Sequence, residues 1–558
     1  MNVKFVYLGR SRLAESDVGP LLSLSPNLAR EPVAFDAALQ QPLRFREAIS
    51  SLHDVVISDL RFRRRDKTAY LEWKKGQARR ASELRQGAHA QAKAEILAQR
   101  QEPVPKDLEK SYHRCLRQYW SARQKYASYL MAHDLALWRK LMPCDPVITV
   151  ADDVVFFECF SADESSYGCL LVDRERGFGR CDNLRLGTTN VDYSWDLYHH
   201  FQSLRSYRPT RFRLDSGGFD VATQGSRDYR EEKIDLPAGW LRGFMQIQSA
   251  MTLPALSVSL SREAVYSILV WLKRHRAWTS PRALRFELLA GQSPRLVLEP
   301  WEQPIVSYGT RFNGPETAPI RIWGTRRLLV LARTLPLAER FDVYLLGTGL
   351  PSFWVVHMGD MRLVLGLSGW TANDWTRGSA LDLLCPPIRA TDNVVGQVAQ
   401  LMQERRVAKL DELQRQVAEP ADVVHAALRH LAHAGQVIAD LTLGAFRWRQ
   451  IMPQALGEAE FGPPNSELVA AGPLLSGRRA TVTSRETVPC VGTLLTGTTD
   501  NAKVELLIDP DGRIRRGKCV CTHFRRYGLR NGPCRHMLAL RWLEPLSAEQ
   551  LVVPYGIR

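Results

Sequence analysis

The chain has 558 residues, 45% apolar and 24% charged, values of a folded protein with at most local disorder. No run approaches the roughly 18 uninterrupted apolar residues of a membrane span, and seven of the ten cysteines (Cys115, Cys144, Cys159, Cys169, Cys181, Cys385, Cys490) stand alone, which excludes a disulfide framework. Its 75 basic residues outnumber its 59 acidic ones, a net charge of +16, and where that excess gathers it invites an anionic partner.

At roughly 150 residues per domain, the length corresponds to about three or four domains. The opening MNVKFVYLGRSRLAESDVG lacks a long hydrophobic region ending in a small-residue cleavage site, so no secretory signal is read and a cytoplasmic location, with no membrane partner, is expected. Residues 1–60 mix short apolar runs with Pro and Ser and read as an α/β segment with a helix around DAALQQPLRFREAISSL. Residues 61–145 turn to Ala, Gln, Arg and Lys, interrupted at QEPVPKDLEK, where two prolines break any helix. Leu108, Tyr112, Cys115, Tyr119, Ala122, Tyr126 and Leu130 recur at helical spacing. A basic helical hairpin is expected, with 20 Lys/Arg against 8 Asp/Glu between Arg61 and Lys140.

Residues 146–387 carry short β-branched and aromatic runs (VITV, VVFFECF, RLVLEPW, FDVYLLG, SFWVVHM, MRLVLGL) separated by Gly, Pro, Asn and Asp, and these read as strands of a central α+β unit. Two helical patterns interrupt them, SREAVYSILVWLKRH, capped by Ser261, and RRLLVLARTL. Each precedes paired strands, the pattern of a distant internal duplication, although no residue-level repeat accompanies it. The acids Asp152, Asp153, Glu158, Asp163 and Glu164 could collect a divalent ion for a nuclease-like reaction, but Glu158 stands among phenylalanines and no P-loop, nucleophile elbow or His-Glu-x-x-His motif accompanies it. The adjacent His199 and His200 diverge on either a helix or a strand, so they do not share one metal. No enzyme is therefore expected.

Residues 388–455 offer three amphipathic helices, VVGQVAQLMQERR, LDELQRQV and DVVHAALRHLAHAG, then a ribbon turning at Leu443-Gly444. That order is winged-helix-like. It places Arg447 and Arg449 on the ribbon for contact with nucleic acid, unless the unit serves protein contacts alone. A Gly-, Pro- and Ser-rich loop, FGPPNSELVAAGPLLSG, then leads into the 465–558 unit and a hairpin with the turn DPDG.

The hairpin runs into KCVCTHFRRYGLRNGPCRHMLALR, Lys518 to Arg541. On an extended strand residues two apart point the same way, so Cys519 and Cys521 present two sulfurs together while Val520 faces away. Cys534 and His536, ahead of a helical run, supply two more donors, and three thiolates with one imidazole are a structural Zn²⁺ set. Four protein ligands leave no vacant position for catalysis. His523 is a competing ligand of lower rank. Between Gly512 and Arg541 stand nine basic residues and no acidic one. Lys518, Arg525, Arg526, Arg530 and Arg535, with Phe524 and Tyr527, are candidate contacts to phosphates and bases.

Cys-x-Cys followed by Cys-x-His at the head of a helix, closing in GPCRHMLAL, resembles the SWIM zinc finger. From about Pro146 to the C-terminus the chain is similar to a bacterial family of large SWIM zinc finger proteins. The resemblance implies Cys519, Cys521, Cys534 and His536 as ligands, a DNA- or protein-interaction role, and action alongside MoxR-type ATPases and von Willebrand A-type partners. The expectation is a multidomain α+β protein: helical hairpin, mixed α/β central unit, winged-helix-like unit and C-terminal SWIM zinc finger. It would bind structural zinc and engage nucleic acid, DNA first, or serve as a protein-interaction adaptor.

Overall fold

The structure is a computed structural model. The residues it describes lie within 33–56, 146–191, 238–346, 351–368, 390–451, 466–508 and 514–543, with the strand segments 4–8, 12–16, 19–24, 210–214 and 230–234 and a few isolated positions. The expected basic hairpin falls outside them save for Arg114 and Gln118. The chain divides into two compact units, Leu60–Met142 and the remainder. The larger unit is a mixed α+β architecture built on several largely antiparallel sheets.

The spine is an eight-stranded antiparallel sheet in the order Ala255–Leu260, Arg340–Leu346, Ser352–Met358, Met361–Leu367, Ser166–Asp173, Val154–Phe160, Val147–Val150, Gly187–Asn190. Strands covered on both faces need apolar residues at successive positions, which is why VVFFECF and SFWVVHM are apolar at nearly every position. On one face the Pro42–Val56 helix lies close: a Cβ on Gly168 would stand 2.7 Å from Leu52 Cδ1, and Phe45 meets Phe157 edge-on. On the other, Phe160 and Tyr167 pack against Phe244 of the Ala238–Met251 helix. A five-stranded sheet flanks this spine in the order Arg12–Ser16, Gly19–Leu24, Thr210–Leu214, Ala34–Leu39, Phe178–Arg185.

A repeated topology is present, but between other elements than the two helical patterns that suggested a duplication. Val147–Val150, Val154–Phe160 and Ser166–Asp173 form a meander, and Gly187–Asn190 returns beside its first strand. Ala283–Glu287, Arg295–Leu298 and Gln303–Val306 do the same, with Ile320–Trp323 returning beside Ala283–Glu287. A strand and a helix precede each meander: Ala34–Leu39 with Pro42–Val56, and Ala255–Leu260 with Arg262–Arg274. Ser261 caps the latter helix as expected, its hydroxyl accepting from the Ala264 amide at 3.3 Å. The pattern RRLLVLARTL closes as a 3₁₀ helix, Thr325–Arg333.

Helices Asp392–Arg405, Leu410–Val417 and Ala421–His433 alternate with a three-stranded sheet, ordered Val407–Ala408, Ala445–Trp448, Val437–Asp440. Gly444, at φ 61°, makes the ribbon turn, and the Asp440 carboxylate accepts from the Thr442 and Leu443 amides. One apolar core runs from Val33 to Ile451 and takes in Val398, Leu428 and Phe446. The third helix packs on the Ala238–Met251 helix, and its His425 is buried against Phe446.

Burial, with Arg429 nearby, pulls His425 down to about 4, and burial also lowers His433. In the unfolded chain a histidine takes its proton near the ordinary value of 6.5. Between those two values the unfolded state binds the extra proton, so stability falls as pH falls through the window. The His425 shift corresponds to about 3 kcal/mol across the interval. The urea midpoint should therefore drop between about pH 7 and about pH 5, and His425→Gln should lose a measurable part of that drop. Equal drops in the two proteins would contradict it.

Beyond residue 465 the expected loop is corrected: Ser466–Ser476 is a helix, with Pro473 inside it. Its Ala471 and Leu474 bury against Leu538 and Ala539, a packing that outweighs the turn-forming residues. Ala480–Val488, Gly492–Thr499, Ala502–Ile508 and Ile514–Cys519 then form an antiparallel four-stranded meander. The Thr522–Tyr527 and Arg535–Trp542 helices follow. No helix among the described residues is long and apolar enough to cross a membrane.

Candidate metal centre

Three elements end at one point. Cys519 closes the last strand of the meander, Cys521 heads the Thr522–Tyr527 helix, and Cys534 heads the Arg535–Trp542 helix, with His536 in its first turn. The Cys521 sulfur accepts from the Phe524 amide at 3.4 Å, which caps that helix. Val520 is 54% exposed, so the single residue between the cysteines points away as the strand period requires.

The ligand atoms of Cys519, Cys521, Cys534 and His536 all lie within 4.8 Å of one another, and Cys519 Sγ stands 3.7 Å from His536 Nδ1. Around one tetrahedral ion with metal–sulfur bonds of ~2.3 Å, neighbouring donors are about 3.7 Å apart. Cys534 is fully buried and Cys519 nearly so. The hydrogen bond from Cys534, chiefly, pulls the Cys519 thiol down, while that same contact and burial drive Cys534 up. A divalent cation would relieve this crowding of sulfur. The four side chains form a site able to hold a metal ion.

Close packing fixes the scaffold behind it. A Cβ on Gly517 would meet Met537 Cε at 2.9 Å, and one on Gly497 would meet the Thr481 carbonyl at 2.3 Å and Leu540 Cδ1 at 2.5 Å. Glycine lets the sheet and the ligand-bearing helix touch. A further group went unnoticed in the sequence. Glu467 Oε2 accepts from the Arg535 amide at 2.8 Å and its Oε1 from Arg535 Nη2 at 2.7 Å. These bonds, with Arg535 the first cause, hold the Glu467 carboxyl below the ordinary range. Glu467 thus ties the Ser466–Ser476 helix to the residue between two ligands.

The candidate cations separate. Arg525 and Arg526 stand exposed on the short helix after Cys521, and Arg525 has no ion pair among the described residues. Lys518 is exposed, with Nζ 3.3 Å from Glu505 across the sheet. Arg535 is ion-paired with Glu467, Nη2 to Oε1 at 2.7 Å, and its side chain remains exposed. Arg530 and the Tyr527 side chain lie outside the described residues. Phe524 is half-buried against the core beneath the cysteines. His523 is not among the clustered donors.

Arg447 and Arg449 do not reach solvent, and the expectation that they contact nucleic acid is corrected. They are 2% and 1% exposed. Arg447 makes a fork to Asp153, at 2.7 and 2.8 Å, and bonds Asp440 at 2.8 Å. Arg449 Nη2 donates to Glu158 Oε1 at 2.7 Å, and that oxygen also accepts from the Tyr167 hydroxyl at 2.6 Å. Asp153 and Glu158, two of the acids considered for a divalent metal, are thereby neutralised by arginine. Asp163, Glu164, His199 and His200 lie outside the described residues.

No family model and no curated protein matches the chain. Among solved structures it is similar to Proliferating Cellular Nuclear Antigen from Entamoeba histolytica, with 12% identity, 40% of this chain and 89% of that one covered, and a TM-score of 0.28. A PCNA2-PCNA3 complex from Sulfolobus tokodaii gives 8% identity, 41% and 91% coverage, and a TM-score of 0.28. A. fulgidus PCNA bound to the C-terminal region of FEN-1 gives 11%, 40% and 89%, and a TM-score of 0.27. At such TM-scores the likeness carries no argument about this chain.

Proposed function

We propose that this chain is a zinc-dependent, non-catalytic binding protein whose C-terminal SWIM-type finger engages nucleic acid, DNA first. The observation that carries the reading is the Cys519, Cys521, Cys534, His536 cluster, with its donors within 4.8 Å, bearing exposed Arg525 and Arg526 on the helix that Cys521 heads. Three thiolates and an imidazole suit Zn²⁺, and with four protein ligands the ion would be structural. Zinc would hold the short helix rigid; its cations would meet phosphate.

The 392–448 unit has the element order of a winged helix. Its third helix and its two ribbon arginines turn inward, so we read it as a packing unit and not as a reader of DNA. A second reading, the protein adaptor acting with MoxR-type ATPase partners, draws on the Ala480–Val488 strand. This strand is exposed along almost its whole length at the edge of the finger sheet, and an open edge can accept a partner's strand.

Fluorescence anisotropy of labelled duplex and single-stranded DNA and of RNA across a salt series separates the two. Arg525→Glu/Arg526→Glu should weaken nucleic-acid binding and flatten the log K against log salt slope by about 2, at ~0.9 per lost phosphate contact. Wild-type affinity and slope in this variant would remove the nucleic-acid role of the finger and leave the adaptor.

A further inference from the structure

The Arg262–Arg274 helix buries Ala264, Val265, Ile268, Leu269 and Leu272, and its opposite side carries Arg262, Tyr266, Ser267, Lys273 and Arg274 to solvent. Nothing in the finger accounts for this face. Cations in a last helical turn, such as Lys273 and Arg274, complement the helix dipole. Arg262 does not, because it occupies the first turn, where the dipole disfavours a cation. Its one ion pair among the described residues is a 3.4 Å contact to exposed Glu263.

Beside that first turn stands a second exposed side chain on a fixed support. Buried Ser307 accepts from the Ser261 amide at 2.8 Å, and Thr310 Oγ1 lies 2.9 Å from both the Ser307 hydroxyl and its carbonyl oxygen. The turn so anchored presents Tyr308 at 76% exposure, and Tyr266, one helical turn beyond Arg262, is 57% exposed. At the far end Arg326 donates to the Leu272 carbonyl at 3.2 Å, adding another exposed cation beside Lys273 and Arg274.

We propose that this helix face, with Tyr308, is a second nucleic-acid contact surface, fitted to the backbone of duplex DNA. Eleven residues of helix set Arg262 about 16 Å from Lys273, enough to span a major groove of roughly 12 Å and place cations on both phosphate strands. Tyr266 and Tyr308 supply hydroxyl donors to phosphate oxygens. Glu263 is the single acid between Ser261 and Arg276, against four Lys/Arg, so the face as a whole is complementary to a polyanion. A lone extended strand, whose successive phosphates are close together, would not need that separation. The surface stands independently of the finger.

The test uses the full chain and anisotropy with random-sequence duplex and single-stranded DNA. Three variants are compared: Arg262→Glu/Lys273→Glu/Arg274→Glu, Tyr266→Ser/Tyr308→Ser, and the finger variant Arg525→Glu/Arg526→Glu. All the substituted side chains are exposed; acids in place of Lys273 and Arg274 oppose the helix dipole, so a slightly lower thermal midpoint is expected in the triple variant, and binding is compared at a temperature where every variant is folded. The triple variant should bind duplex at least about tenfold more weakly at low salt, with a slope flatter by about 3. The tyrosine pair should lose affinity and keep the slope. Duplex affinity and slope equal to wild type in the triple variant overturn the proposal, as does a loss confined to single-stranded DNA. Loss in the triple variant with none in the finger variant upholds this surface while removing the finger's role.

Discussion

Cys534→Ser, or exhaustive chelation of the wild type, is expected to unfold the 466–543 module while the 33–451 core stays folded. The module is held by two small apolar clusters. One contains Leu495, Val504, Leu506, Ile508, Met537 and Leu540 together with Cys519 and Cys534, so two of its own members belong to the candidate metal cluster. The other contains Ala471, Leu474, Ala480, Leu538 and Ala539. A core of this size supplies no more than about 3–5 kcal/mol, whereas structural zinc is worth about 10–16 kcal/mol in small zinc-finger peptides. On these magnitudes a bound metal would decide whether the module folds. Without it three sulfurs stay crowded, the Arg535–Trp542 helix loses its anchor at Cys534 and His536, and the Glu467–Arg535 clamp releases the Ser466–Ser476 helix. Limited proteolysis read by mass spectrometry should show cleavage spreading through 466–543 in the variant and the chelated protein, with 33–451 still protected. Elemental analysis should give about one zinc per wild-type chain, as one closed four-ligand site requires, and none in Cys534→Ser. A tail that resists protease after chelation would disprove the dependence.

How far the sequence discloses this architecture depends on the distance over which each signal acts. The clustering of the four donors is legible because chemistry and spacing coincide within one stretch: Cys-x-Cys on a strand end, Cys-x-His at a helix head. Ser261 and Gly444 are legible for the same reason, since a cap and a turn are settled by neighbours. Arg447 and Arg449 are misread because their partners, Asp153 and Glu158, lie 294 and 291 residues away in the chain. Ribbon alternation alone leaves such arginines free. The sequence did hold a clue, since an ionised group inside VVFFECF needs a buried cation, but not which arginine answers it. Glu467 was hidden by its surroundings. Gly, Pro and Ser around it signal a loop, and packing on Leu538 and Ala539 makes a helix instead.

The second large effect belongs to that buried pair. Arg449 and Glu158 are both fully enclosed. The Arg449 guanidinium lies 5.4 Å from the Phe244 ring, and the Gln248 amide, oriented to donate to the Ala432 carbonyl, accepts from its Nη1 at 2.8 Å. Burial pushes the Glu158 carboxyl up even against the opposing pull of Arg449, which shows how costly the charge would be alone. Removing one partner of a buried ion pair costs about 3–5 kcal/mol, while exchanging both for apolar groups is often neutral or better. Arg449→Met should therefore lower stability by about that amount, and Glu158→Leu/Arg449→Met should recover most of it. Additive losses in a double-mutant cycle, read from urea midpoints, would show that the two charges do not depend on each other. The same proteins test the inward reading of the ribbon. If Arg449 serves to fasten the Ala445–Trp448 strand to the central sheet, the double variant, once folded, binds nucleic acid with wild-type affinity and salt slope. A flattened slope would return Arg449 to the role that its place on the ribbon first suggested.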